Sequence, residues 1–132
     1  MIFNNPFKQI LIIFLGGGVG SVCRFLISYL VQTITQNLFF PFGILVVNIL
    51  GCFGIGLIVG IFFEHYTFGT LWRAGIIIGF FGGFTTLSSV SLDTLTLLQS
   101  AEYVSGFANI LLNLVGCLLA TFLGLSLARL VL

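Results

Sequence analysis

Four stretches of this chain are each long and apolar enough to cross a bilayer, and only short polar breaks separate them. The breaks are Gln32-Thr33-Ile34-Thr35-Gln36-Asn37 after the first stretch, Glu64-His65-Tyr66 after the second, and the few residues between Gln99 and Tyr103 after the third. Spans over about 9–30, 41–63, 71–99 and 103–130 leave no room for a soluble domain, so residues 1–132 read as a single four-helix transmembrane domain. A spanning helix needs about 20 apolar residues. A closed barrel is the other way to cross a membrane, but these runs are too long and lack alternation of period two. The predicted fold class is an all-α integral membrane protein.

Composition supports the same answer by exclusion. Hydrophobic residues make up 59% of the chain and charged ones 5%, where soluble domains carry about 25% charge. Seven ionised side chains cannot cover a water-facing surface. A disordered chain needs the opposite balance, and four basic residues against three acidic ones give no footprint for nucleic acid. The first span does not read as a cleavable signal: it has one preceding cation, no small-residue cleavage site and an arginine inside the apolar run. Gly16-Gly17-Gly18-Val19-Gly20 is preceded by no strand, so it reads as close helix packing rather than a dinucleotide loop. Cys23, Cys52 and Cys117 fall one per span without paired spacing, which predicts buried, inert thiols and no zinc or redox site. With one histidine and no nucleophile–base pair, catalysis has nothing to run on, and an enzyme is not expected.

Cations orient the chain. With both termini on one side, Lys8, Arg73 and Arg129 share that side, and neither opposite loop has Lys or Arg. The expectation is a multi-pass protein of the cell (plasma) membrane with both termini in the cytoplasm.

Polar groups at membrane depth are expensive, so they point to function. Arg24 lies within the first span and must reach water, a partner or an anion; snorkelling and an anion-facing role both fit. Asn48, seven residues into the second span, fits interhelical hydrogen bonding or donation to an ion. In the third span, Gly79-Phe80-Phe81-Gly82-Gly83-Phe84-Thr85-Thr86-Leu87-Ser88-Ser89-Val90-Ser91 disfavours a continuous helix. A break there frees carbonyls for a cation and supplies hydroxyls for an anion. Ser105, Asn109 and Asn113 recur every four residues on the fourth span, a stripe that fits an aqueous lining or interhelical bonding.

These residues resemble the Fluc (CrcB) family of fluoride channels, over nearly the whole chain. The matching pieces, in order, are Gly17-Gly18-Val19-Gly20-Ser21-Val22-Cys23-Arg24-Phe25, then Gly43 through Asn48 to Gly51, and Gly82-Gly83-Phe84-Thr85-Thr86 with Ser88. Asp93 follows in place of the usual glutamate, and Cys117-Leu118-Leu119-Ala120 with Gly124 completes the set. The resemblance implies a passive, fluoride-selective channel built as an antiparallel dimer, with a structural sodium ion (Na+) held by backbone carbonyls at the third-span break, here those of Gly82 and Thr85. It implies an anion path along Arg24, Asn48, Thr86, Ser88 and Ser89, continued on the fourth span at Asn109 and Asn113.

Two departures stand out. The family's two pore phenylalanines fall on Leu87 and Val90, and a fourth-span tyrosine and serine fall on Asn109 and Asn113; Phe80, Phe81 and Phe84 lie nearby at a different spacing. The partner in that antiparallel dimer is a second copy or a homologous subunit of opposite orientation, and the missing aromatics with a readable charge bias favour the second, a heterodimer. The competing readings are a small multidrug-type transporter, which would need a carboxylate in the first span, and a non-conducting four-span partner or assembly subunit.

Overall fold

The computed structural model describes residues 5–64 and 69–131. The His65-Tyr66 part of the predicted second break lies outside them. The four long apolar segments are Pro6–Thr35, Phe42–Phe62, Thr70–Gln99 and Tyr103–Val131, all helical in type, and no strand occurs among the described residues. This is the expected architecture, and the chain is a multi-pass membrane protein.

Helix α1 (Pro6–Thr35) starts on a proline, whose missing N–H would be unpaired there in any case. It ends later than the sequence predicts. Gln32 to Thr35, read as part of the first break, instead complete the last helical turn. The Thr33 and Thr35 hydroxyls donate to the Tyr29 and Val31 carbonyls at 2.8 and 2.9 Å, so these polar side chains satisfy themselves on their own helix. Gln36 then turns left-handed at φ 50° and its N–H closes on the Gln32 carbonyl. Gln32 clasps the turn that follows: Nε2 donates to the carbonyls of Asn37 and Phe40 at 2.6 and 3.1 Å, and Oε1 accepts from the Gly43 N–H at 3.1 Å.

Helix α2 covers Phe42–Glu64. The third span is composite: α3 (Thr70–Arg73), a π-helical stretch Ala74–Phe81, α4 (Gly82–Phe84), two extended residues, and α5 (Leu87–Gln99). Helix α6 (Tyr103–Val131) closes the bundle. The π-helical stretch has no counterpart in the sequence reading. Its widened turns set Gly75 and Gly79, both buried, against Ile12 and Gly16 of α1.

Two seams hold the spans together. On one, α1 lies against the first half of the third span, where a Cβ on Gly83 would strike the backbone of Gly17. Small residues permit this approach, and without a hydrophobic drive between helices in lipid, close packing supplies the attraction. On the other, α2 and α6 run parallel in constant register. Asn48 bonds Asn113, 65 positions further on, and Gly56 faces Thr121 at the same offset, too close for a Cβ.

The second and third spans bury 33% of their most apolar window, the first only 6%, so α1 turns a large lipid-facing surface outward. Ile12 packs on Gly75, and Gly60 packs on Ala128. Those contacts bring the exposed cations Lys8, Arg73 and Arg129 to one end of the bundle, as the charge pattern predicts.

Candidate functional site

The chemistry concentrates where the third span breaks. Thr85 (φ −87°, ψ 154°) and Thr86 (φ −153°, ψ 119°) are extended, between α4 and α5. A helix that stops leaves backbone groups without partners, and side chains take them up here. The Thr85 hydroxyl donates to the Phe81 carbonyl at 2.9 Å. Thr86 Oγ1 caps α5 by accepting from the Ser89 N–H at 3.2 Å. It also shares hydrogen bonds with the hydroxyls of Ser88 (2.9 Å) and Ser89 (3.2 Å).

Asn48 holds the break from α2. The Thr86 N–H, which a continuous helix would give to the Gly82 carbonyl, donates to Asn48 Oδ1 at 2.9 Å. Asn48 Nδ2 donates back to the Thr86 carbonyl at 3.1 Å and to Asn113 Oδ1 at 3.0 Å. Asn113 Nδ2 donates to Asn109 Oδ1 and the Asn109 carbonyl at 3.0 and 2.9 Å. Asn109 Nδ2 reaches the Thr94 hydroxyl at 3.0 Å and the Val90 carbonyl at 3.5 Å. Every amide hydrogen in this row is committed, and no buried side-chain nitrogen or oxygen among the described residues lacks a partner. In a low-dielectric interior an orphaned polar group costs about 1–3 kcal/mol, so the row is either complete or strongly destabilising.

Beside this row, α2, α5 and α6 line an open cavity of about 760 Å³. Of the residues singled out in the sequence, Asn48, Thr85, Thr86, Leu87, Val90 and Asn113 line it. Asn109 does not; it is fully buried, bonding helices rather than facing the cavity. Ser88 and Ser89 reach the same neighbourhood through their bonds to Thr86. Leu87 is 79% exposed at the mouth of the break, whereas Val90 is buried.

Arg24 and Gly82 stand apart from the cavity. Arg24 is half-buried on α1 and has no hydrogen-bond or ion-pair partner among the described residues. Gly82 is exposed, with only the Ile77 carbonyl near a Cβ position at 3.9 Å. Phe80 and Phe84 stack at 5.6 Å, and Phe84 and Phe81 pack toward Gly51 and Gly54 of α2 rather than into the cavity.

Ser91, Thr94, Thr121, Cys52 and Cys117 also line the cavity, although the sequence reading gives them no part in the anion path and takes the cysteines as inert. A signal existed for some of them: the four-residue stripe Ser105, Asn109, Asn113 continues through Cys117 to Thr121, and Asn48 continues to Cys52 and Gly56. A second cleft of about 520 Å³ lies toward the opposite end from the clustered cations, with Ser28, Gln32, Asp93 and Glu102 on its wall.

Four apolar spans, a broken third helix and an amide-braced cavity at its break define a multi-pass membrane protein whose polar chemistry lies inside the bilayer. The family described as "CrcB-like protein, Camphor Resistance (CrcB)" matches residues 11–125, and the chain belongs to it. A relative named fluoride-specific ion channel FluC, from Serratia proteamaculans (strain 568), is 42% identical over 91% of this chain and 93% of its own length. A second so named, from Parabacteroides distasonis, is 40% identical over 92% and 93%. A third, from Azobacteroides pseudotrichonymphae, is 39% identical over 89% and 93%. These relatives carry the name of an ion channel, not of an enzyme.

Proposed function

We propose that this chain is a subunit of a fluoride-selective channel that passively exports fluoride across the cell membrane. The carrying observation is the broken third span, braced by Asn48 beside a largely apolar cavity into which the amides and hydroxyls of the break are set, in a chain about 40% identical to proteins named as fluoride channels. Fluoride enters a cell as neutral HF and dissociates at cytoplasmic pH. An inside-negative potential, worth about 2.3 kcal/mol per charge per 100 mV, then drives the anion out with no other energy source.

A fluoride ion shedding its water needs N–H and O–H donors. The amide hydrogens of Asn48, Asn109 and Asn113 are committed to one another and to backbone. Their part in the path is to fix its wall, and the hydroxyls carry the donation. Among Thr86, Ser88 and Ser89, Thr86 spends its hydrogen on Ser89 and accepts from Ser88, which leaves the Ser89 hydrogen for an anion. Arg24 raises anion concentration near the path, since its guanidinium has no ion-pair partner among the described residues.

Sodium fits the Gly82 and Thr85 carbonyls. The diversion of the Thr86 N–H to Asn48 relieves the Gly82 carbonyl of its helical partner, and a hard cation takes carbonyl oxygens. Bound there, the ion supplies fixed positive charge beside the pathway. The dimer is antiparallel, and the partner is a homologous subunit of opposite orientation rather than a second copy. Support comes from aliphatic Leu87 and Val90 at the cavity and from three cations gathered at one end, which gives both termini a cytoplasmic location.

Fluoride-electrode measurements on proteoliposomes test this reading. The chain alone should release little fluoride, and the chain co-reconstituted with an oppositely oriented homologue should release it rapidly. Rapid flux from the chain alone removes the heterodimer. No flux with any homologous partner, from protein shown to be inserted, removes the channel.

A further inference from the structure

The constant register of α2 and α6 brings together two residues that neither the fold nor the anion path requires. Cys52 lies one turn beyond Asn48, and Cys117 one turn beyond Asn113. The pair therefore sits at the same offset of 65, between the Asn48–Asn113 hydrogen bond at 3.0 Å and the Gly56–Thr121 backbone contact. Contacts on both sides allow the helices no room to diverge at the cysteines. The register accordingly sets the Cys52 and Cys117 side chains beside one another on facing helices. Both side chains are half-buried, both are free thiols, and both line the cavity that holds Asn48 and Thr86.

We propose that Cys52 and Cys117 form a two-coordinate site for a soft, thiophilic metal ion, and that its occupation obstructs the cavity. Paired thiolates select soft cations over hard ones. Among the described residues no third His, Cys, Asp or Glu joins them, so the tetrahedral set that structural zinc requires is lacking, and a linear bis-thiolate ion fits. With Hg(II) as the metal, two S–H bonds break, two Hg–S bonds form and two protons leave to water. The product is neutral, which suits a low-dielectric wall where a net charge would be costly.

Metal binding stands independently of the channel reading, and only the obstruction rests on it. The test uses the full-length protein titrated with mercuric ion, followed by alkylation of the remaining thiols and mass spectrometry, with ultraviolet thiolate-to-mercury absorption as a direct readout. One mercury per chain is expected, with Cys23 alone left open to alkylation. Cys23→Ser should bind as the parent does. Cys52→Ser and Cys117→Ser should bind at least about 100-fold more weakly, because the second thiolate acts at high effective concentration. Phenylarsine oxide gives a measurement free of variants. It condenses with two thiols, releasing water, and should join the peptides that carry Cys52 and Cys117.

Protection or cross-linking of Cys23, or undiminished binding by Cys52→Ser, overturns the site. In proteoliposomes that conduct fluoride, mercury should abolish most flux from the parent and Cys23→Ser, but little of the flux that Cys52→Ser or Cys117→Ser shows without metal. Stoichiometric binding with undiminished parent flux overturns the obstruction. Absence of fluoride flux under every condition overturns the channel reading, and the binding measurement then decides the metal site alone.

Discussion

The two helix seams of this bundle solve the same problem by opposite means. Where α1 meets the first half of the third span, glycines bring backbone against backbone, and at Gly83 the Ser21 hydroxyl adds a long hydrogen bond to the carbonyl at 3.4 Å. Where α2 and α6 meet α5, three amides and a threonine cap form an unbroken row of hydrogen bonds. The first seam depends on shape throughout, whereas the second joins glycine contacts of the same kind, such as Gly56 on Thr121, to a polar row that depends on completeness. A shape-based seam resists any added atom, whereas a hydrogen-bonded one resists any lost partner. In a bilayer, where unpaired polar groups are not rescued by water, only the second kind can present polar surface at depth, and the proposed path follows it.

The largest effect is expected on the shape-based seam. Gly83→Leu forces side-chain atoms into the Gly17 backbone, a form of overpacking whose usual cost of about 1–3 kcal/mol is exceeded when backbone itself must move. The yield of monodisperse protein after detergent extraction should fall to near zero; a well-behaved variant breaks the contrast between the seams.

Asn48→Ala comes next. It leaves the Thr86 N–H and Asn113 Oδ1 without partners, about 1–3 kcal/mol each. Proteoliposome flux should drop by more than an order of magnitude. Asn48→Asp keeps the acceptor for Thr86 but loses both donations, so recovery by Asp would show that the Thr86 bond alone matters.

Arg24→Ala should assemble normally, since Arg24 has no hydrogen-bond or ion-pair partner among the described residues. Flux should fall about tenfold at low ionic strength and less at high salt, as electrostatic concentration of an anion requires. A salt-independent loss would assign Arg24 to a contact rather than to steering. Thr86→Val removes the α5 cap, worth about 1 kcal/mol, and the Ser89 amide should then exchange hydrogen several-fold faster. Unchanged exchange would place the control of the break wholly with Asn48.

The architecture was legible because bilayer crossing imposes a length and a composition that four runs meet in plain view. The break was legible too, although its position was not read to the residue. Gly82 and Gly83 drew attention, but they remain helical, and the extended residues are Thr85 and Thr86. The chain leaves the helix here because the partners of the Thr86 backbone come from Asn48 of α2, a contact 38 positions away that no local pattern encodes. Asn109 and Asn113 illustrate the same limit. A four-residue spacing places both on one helix face and both are buried, but their surroundings separate them: Asn109 bonds α5, and Asn113 reaches the cavity. The π-helical stretch Ala74–Phe81 had no signal, since Ala-Gly-Ile-Ile-Ile-Gly-Phe-Phe reads as well for an ordinary helix. Cys52 and Cys117 were read one span at a time, and their pairing exists only in the register between spans.

The Thr86 N–H can only donate. Anchored to it, Asn48 must present its oxygen to the break, Asn113 must present its oxygen to Asn48, and Asn109 must do the same for Asn113. No single amide can flip without setting donor against donor, so the row has one orientation and behaves as one object. Its dipoles are in place before any ion arrives, so an ion on the proposed path would meet an electrostatic landscape that does not reorganise to receive it.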